Sequence, residues 1–306
     1  GAGREAIARA QGDSATLVAQ LDADVATSWW LAVRAEALAQ VARSQREALD
    51  DVARYDSLRA REGAVAEVVA LRARVEADRA ALAEVGARAE RARARALLAR
   101  YVGQAGDSLA LAVDTSAAAA LTAIADVVHD APPVPGPPEL RAAEAAEREQ
   151  RRRVAAERLA LVPDLTLTAG SKQTGPLRYT VVAVALPLPL LNRNGGARER
   201  TQAELLAVQA QRRDVVLRVR REGEAADAAR RALREAPPPR EILARTAEAA
   251  SIARAAYREG GITQLELFEA QRAEGLAREA VLRWATDVHL ADVAWRRATG
   301  RPQEGP

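Results

Sequence analysis

From residue 7 onward, apolar and small side chains recur in alternating steps of three and four. The run begins Ile7, Ala10, Ser14, Leu17 and Leu21, and continues through Asp24, Ser28, Leu31, Ala35, Leu38, Ala42, Gln45, Leu49 and Val52. A second run near the end, Leu267, Ala270, Glu274, Ala277, Val281, Trp284, Val288, Ala291, Trp295 and Ala298, keeps the same steps. Such spacing lays one narrow stripe along a helix and predicts coiled-coil packing against neighbouring helices. Gly63 before Ala64, and Gly260 followed by Gly261, interrupt the pattern. Each predicts a tight turn between antiparallel helices.

The two turns belong to an internal repeat. The stretch "REGAVAEVVALRARVE" at 61 to 76 resembles "REGGITQLELFEAQRAE" at 258 to 274 with Gly63 on Gly260, and the same separation carries Ala73 onto Ala270 without a gap. It also carries Tyr101, Val102 and Gly103 onto Ala298, Thr299 and Gly300. Earlier in each copy, "GREAIARAQ" at 3 to 11 resembles "GARERTQAE" at 196 to 204 at a separation four residues shorter, which predicts a four-residue insertion near "REAPPPREIL".

Helix lengths follow at about 1.5 Å per residue. Residues 4 to 61 span roughly 87 Å, and a return in two pieces, 64 to 102 and 139 to 161, spans about 93 Å. In the second copy 197 to 235 and 239 to 259, broken at Pro237 to Pro239, span about 90 Å. The passes match one rod length, so the interruptions predict a belt partway along it. The expected organisation is a first-repeat helical hairpin at 1–103 with its tip near 61–66, an equatorial segment at 104–138 and a helix at 139–161. A β-hairpin follows at 162–190, then a second helical hairpin at 191–300, with its break at 236–239 and tip near 258–263, and a tail at 301–306.

One stretch departs from helix, "LVPDLTLTAGSKQTGPLRYTVVAVALPLPLLNRNGG" at 161 to 196. Pro163 stops the helix before it. Leu165, Leu167 and Ala169 then alternate with Asp164, Thr166 and Thr168, a polar turn "SKQTG" follows, and Leu177 to Leu186 supplies about ten extended residues, roughly 33 Å, which suits a membrane-spanning strand. Pro187, Pro189 and the turn at Asn192, Arg193, Asn194 and Gly195 end the strand. Alternation alone leaves a soluble hairpin capping a coiled coil equally open.

Composition narrows this picture. In 306 residues the aromatic fraction is 3%, too low for a large layered core, while abundant alanine lets helix backbones approach closely. Lys172 is the sole lysine, and Cys and Met are absent, which excludes disulfides, thiolate metal sites and a lipidated cysteine within these residues. A chain that starts without Met is expected to be a processed product or a fragment. No apolar run reaches the roughly 20 residues a spanning helix needs, so a membrane role must run through strands or partners. The net charge of +3 balances 45 basic against 42 acidic groups. Arginine-rich runs such as "ERARARALLAR" and "EREQRRRVAAERLA" interleave acids and lack a groove-reading motif, so they read as solvated helix faces and no nucleic acid is expected.

No nucleophile and base are paired, and no glycine-rich phosphate loop follows a strand, so an enzyme is not expected. Neither His129 nor His289 has the convergent donors a metal site needs, so no metal or other cofactor is expected. Trp29, Trp30, Trp284 and Trp295 read as packing residues. Glu67, Gln264 and Glu266 beside the turns either line a tunnel mouth and favour cations, or are first-turn groups placed by the helix dipole.

The joint arrangement of strand pair, rod-length helices, glycine turns and second repeat resembles the TolC-like outer-membrane efflux family over essentially the whole chain. The stretches that carry the resemblance are "PELRAAEAAEREQRRRVAAERLALVPDLTLTAG", "VAVALPLPLLNRNGGARERTQAEL", and the paired tips "RAREGAVAEVVALRA" and "YREGGITQLELFEAQR". It implies a mainly α fold: long antiparallel coiled-coil hairpins in two repeats, with a transmembrane β-hairpin contributing to a trimeric β-barrel above an α-helical tunnel. It further implies a homotrimer in outer-membrane lipid, with helices in the periplasm of a Gram-negative cell, working with a periplasmic adaptor and an inner-membrane pump as a passive export conduit for small molecules or metal cations. The "PLPLLNRNGG" segment is most similar to members serving cobalt–zinc–cadmium efflux.

Each glycine turn lies one rod length from the strand end of its repeat, so Gly63, Ala64 and Val65 with Gly260, Gly261 and Ile262 are expected to form the tip that meets the adaptor; the alternative is that the glycines only permit a tight turn and the apolar neighbours close the tip internally. Family protomers carry four strands whereas this chain shows two, and three copies would supply only six, fewer than the usual minimum of eight. The first strand pair is therefore expected to lie upstream of Gly1. The alternatives are a periplasmic coiled-coil adaptor, which should carry lipoyl-like and barrel domains, and a soluble scaffold, which needs no proline-bounded strand pair.

Overall fold

The computed structural model describes residues 2–103, 136–159, 166–185, 195–235 and 239–303. Among these residues the elements follow in the order α1 (Ala2–Arg61), α2 (Glu67–Val102), α3 (Pro138–Leu159), β1 (Thr166–Thr174), β2 (Leu177–Ala185), α4 (Gly195–Glu235), α5 (Arg240–Arg258) and α6 (Gln264–Thr299). Sixty residues of α1 run without a break, because Ala, Leu, Arg and Glu hold the backbone helical at little entropic cost. Several sequence expectations lie outside the described residues: the belt at 104–135 with His129, the stops at Pro163, Pro187 and Pro189, the turn at Asn192 to Asn194, and the proline break at 236–238. Gly195, expected in that turn, already belongs to α4.

The first strand runs further toward the turn, and the turn is tighter, than the pattern implied. Ser171, Lys172, Gln173 and Thr174 are strand residues, paired with Thr180, Tyr179, Arg178 and Leu177. Only Gly175 and Pro176 make the turn. Gly175 has φ 62°, and the proline ring holds the next φ near −65°, which is the glycine-first turn that matches the twist of paired strands. Nine residues per strand give about 30 Å, the length of a membrane strand. The register also explains the blurred alternation. One face has Leu167, Ala169, Val182 and Val184 at the end away from the turn, and Ser171, Gln173, Arg178 and Thr180 near it. Polarity changes along the hairpin as well as across it.

The chain forms two compact units, Gly1–Val18 with Gly136–Arg221, and Ala19–Pro135 with Glu222–Pro306. In the first, α3 is bracketed by ion pairs to both helices beside it. Arg148 and Glu149 meet Glu5 and Arg9 of α1 at 3.2 and 3.6 Å. On the other side Glu139 and Glu147 meet Arg218 and Arg212 of α4 at 3.1 and 3.4 Å, and Gln150 donates to the Thr201 carbonyl at 3.2 Å. Gly12 permits the close approach of α1, since a Cβ there would lie 2.8 Å from the Ala142 Cα.

This corrects the seam expected for the start of α1. Ile7, Ala10, Ser14, Leu17 and Leu21 are exposed, and the partly covered line is Glu5, Ala8, Gly12, Ala15 and Ala19. The same three-and-four step holds, displaced by two residues. The neighbour comes in over the small residues because only there can two backbones close to contact.

In the second unit the core is mostly alanine: Ala23, Ala26, Ala32, Ala35, Ala42 and Ala53 of α1, and Ala70, Ala73 and Ala77 of α2. Here α6 follows its expected seam, with Leu267, Glu274, Ala277, Val281, Val288 and Ala291 buried and the other four positions partly covered. Trp29 packs on Ala32 and Leu98, and Trp30 on Ala23, Ala26 and Val293. His289 stacks on Trp30 at 3.6 Å, and burial lowers its pKa to about 4. Trp295 lies between the Arg230 and Arg301 guanidiniums, at 4.0 and 4.4 Å. Along single helices of both units, arginines pair with acids one turn away, such as Arg151 with Glu147 at 2.7 Å and Arg245 with Glu241 at 2.7 Å.

Candidate functional site at the two helical turns

Both turns of the repeat close by one backbone motif. At the first, Gly63 takes φ 73°, its N–H donates to the Ala60 carbonyl at 3.1 Å and the Ala64 N–H to the Arg59 carbonyl at 2.8 Å. At the second, Gly260 takes φ 77°, its N–H donates to the Tyr257 carbonyl at 3.1 Å and the Gly261 N–H to the Ala256 carbonyl at 2.8 Å. These bonds satisfy the last free carbonyls of α1 and α5, and they require a left-handed residue, which glycine adopts without steric cost.

The outgoing helices start differently. Extended Ala66 precedes α2 and offers no side-chain cap. Thr263 caps α6 with a closed box: the Glu266 N–H donates to Thr263 Oγ1 at 3.3 Å, and the Thr263 N–H donates to Glu266 Oε2 at 2.7 Å. That backbone bond, followed by the Thr263 hydroxyl at 2.8 Å, lowers the Glu266 pKa below the usual carboxylate value.

Gly63, Ala64, Gly260 and Gly261 are exposed, as are Glu67 and Glu266. Val65 and Ile262 are partly covered. Ile262 packs on the cluster of Ala253, Tyr257 and Leu267, where Val52 and Tyr55 also lie. Gln264 is turned into the protein. Its amide donates to Asp56 Oδ2 at 2.8 Å and to the Val69 carbonyl at 2.9 Å.

Asp56 is the residue the sequence reading passed over. It is fully buried, and its second oxygen accepts the Tyr257 hydroxyl at 2.6 Å. Burial, reinforced by that bond, pushes the Tyr257 pKa up. A buried carboxylate is tolerated here because both oxygens are bonded to donors. The Tyr55 hydroxyl adds a bond to the Arg258 carbonyl at 3.3 Å. Together these contacts bind the first turn to the second. One signal was available, since the next four-residue step of the α1 seam after Val52 falls on Asp56.

Among the described residues no cluster of metal-binding side chains is present and no helix is long and apolar enough to cross a membrane. Residues 136–301, which include the β-hairpin and the second turn, match the family described as outer membrane efflux protein. The chain belongs to that family. No curated protein matches it. Among solved structures it is similar to a membrane protein from Pseudomonas aeruginosa, with 20% identity and TM-score 0.80 over 98% of this chain and 70% of that one. It is similar to CusC, with 18% identity and TM-score 0.80 over 98% and 72%, and to the outer membrane protein VceC from Vibrio cholerae, with 17% identity and TM-score 0.78 over 99% and 75%. At these identities the structures speak for the fold.

Family and fold together give the chain its place as an outer-membrane channel component for efflux, with its β-hairpin in the barrel and its helices in the periplasmic tunnel. This decides against the adaptor and scaffold alternatives. Channels of this family are trimeric transport conduits that work with an adaptor and an inner-membrane pump.

Proposed function

We propose that this chain works as a homotrimer in which cargo passes without chemistry, and that the two glycine turns are where a periplasmic adaptor docks, with an inner-membrane pump supplying the energy. The observation that carries this is the pairing of the turns. Two loops closed by the same backbone bonds are held to each other through Asp56, Tyr257 and Gln264, and Ala64 and Gly261 are exposed on them. Gly63, Ala64, Gly260 and Gly261 are exposed at the turns, and Val65 and Ile262, both partly covered, flank them, with Ile262 also packed on the tip's own core. Glu67 and Glu266 are two exposed acids beside the turns, and a carboxylate field at a tunnel mouth favours cationic cargo.

For cargo, the similarity of "PLPLLNRNGG" to cobalt–zinc–cadmium exporters supports divalent metal cations. Deleting the gene should then lower resistance to those cations before it lowers resistance to organic drugs, and the opposite order would replace metals by small organic molecules. For the tip, Ala64→Arg and Val65→Asp leave the Asp56 network and the seams untouched. Trimers should persist while adaptor crosslinking and efflux fall together; normal crosslinking to both variants would remove the tip from the adaptor interface.

A further inference from the structure

Within the second unit, the seam expected along α1 from Ser28 to Gln45 is not packed shut. Leu31, Ala35, Leu38 and Ala42 form one wall of a cavity of about 460 Å³, and Ala87, Ala94 and Leu97 of α2 form the other. Glu279 and Arg283 of α6 border it, so the cavity touches both hairpins of the repeat. At about 1.5 Å per residue the lined stretch of α1 is roughly 25 Å long, which leaves an average cross-section of about 18 Å². An α-helix with its side chains is about 10 Å or more across and cannot enter so narrow a space, whereas a single unbranched alkyl tail can.

Two residues at the cavity give its chemistry. Gly86 lies in the interior of α2 and borders the space, with no left-handed φ to require it and nothing within 4 Å of where a Cβ would stand. Glycine weakens a helix interior, and what it supplies here is the open room that a side chain would fill. The second residue is Arg34. The other guanidiniums at the cavity are paired along their own helices, Arg93 with Glu90 at 3.4 Å and Arg283 with Glu279 at 3.1 Å. Arg34 is half-buried beside the leucines and, among the described residues, has neither a hydrogen bond nor an ion pair. A guanidinium drawn partly out of water gains most from an oxyanion that accepts two of its N–H groups at once.

We infer that this cavity binds a single-tailed amphiphilic anion, its alkyl tail lying along Leu31, Leu38 and Leu97 and its carboxylate or sulfate head on Arg34. Burial of the tail and the charge-assisted bond to the head are separate contributions. An uncharged alcohol of the same length makes only the first, and a small anion such as acetate makes only the second. The site is independent of which cargo passes through the channel.

The test places the full protein in nanodiscs of zwitterionic lipid and titrates it with radiolabelled dodecanoate, with empty nanodiscs as the blank. Dodecanoate should bind saturably at one molecule per protein chain, and dodecanol and acetate at least tenfold more weakly. Arg34→Gln, which leaves the walls in place, should weaken dodecanoate about tenfold and leave dodecanol unchanged. Gly86→Leu should abolish binding of both by filling the space; where it fails to assemble, Arg34→Gln decides alone. Uptake no greater than that of empty nanodiscs, or saturable binding that the variants leave unchanged, would overturn the site. Loss of assembly on Arg34→Gln would overturn it too, by making an acid of a neighbouring copy the partner of Arg34. Mass spectrometry of protein taken directly from outer membranes separates the two sources of such an anion. One fatty acid per chain marks a resident lipid, and an anion present only after addition marks a surfactant from outside; either result keeps the site.

Discussion

The two turns share a backbone and divide the side-chain work. Gly63 and Gly260 take the same φ within a few degrees and close by the same pair of bonds. Past that point they diverge. The first turn has no side-chain cap on its outgoing helix, whereas the second has the Thr263 and Glu266 box. The first hairpin contributes the buried acceptor Asp56, and the second contributes the donors Tyr257 and Gln264. In the repeat, Asp56 corresponds to Ala253 and Gln264 to Glu67, so neither copy could bind the other in this way if they were identical. Duplication supplied the geometry twice, and divergence turned two equal tips into a matched pair.

The sharpest way to break the pairing is to remove its acceptor. Asp56→Ala strands the Tyr257 hydroxyl and the Gln264 amide in a buried site and should cost about 2–4 kcal/mol in urea denaturation. Asp56→Asn, which keeps one acceptor, should cost less, and equal losses would mean that the carboxylate shape rather than its bonds matters. Next in size are the glycines. Gly63→Ala and Gly260→Ala each force a Cβ into the left-handed region and should cost about 1 kcal/mol apiece, equally, because the two φ values agree. A clearly unequal cost would show that the turns are not equivalent in solution.

The capping difference should give the smallest effect. Thr263→Ala should cost about 1 kcal/mol, whereas Ala66→Thr should gain a few tenths, since it supplies a cap that the first turn lacks. This contrast should depend on pH. The folded Glu266 pKa is depressed, so its contribution is complete above its ordinary value near 4.5 and is lost as the pH falls through the lower folded value. Repeating the Thr263→Ala measurement at about pH 3 should therefore shrink its cost, while the Ala66→Thr gain should stay as it is. A cost for Thr263→Ala unchanged in acid would mean that Glu266 takes no part in the cap.

Gly63 and Gly260 were legible before any coordinates, because a helix that reverses needs a left-handed residue and that need is local. The β-hairpin was legible for a similar reason, through its two-residue alternation, although its turn was placed too early. Polar Ser171, Lys172 and Gln173 look like loop in sequence yet are strand, since their bonds come from the paired strand and not from their own side chains. Gln264 was noticed as a polar residue beside a turn, but its role depends on Asp56, which lies some two hundred residues earlier in the chain. A polar residue at a seam position was the available hint, and only its partners give it meaning.

By itself the sequence determined where the chain is helical, where it reverses, that it does so twice with one motif, and that a strand pair separates the two repeats. These follow from backbone preferences acting over a few residues. The tertiary structure decided which face of each helix is covered. At the start of α1 the exposed Leu17 and Leu21 carry the hydrophobic signal, yet the neighbour packs along Ala8, Gly12 and Ala15, because dispersion contact between helices requires backbones to approach, and small residues alone allow it. It also decided that the two tips hold each other, since a hydrogen bond between distant residues depends on where the whole chain brings them and leaves no periodic trace along it.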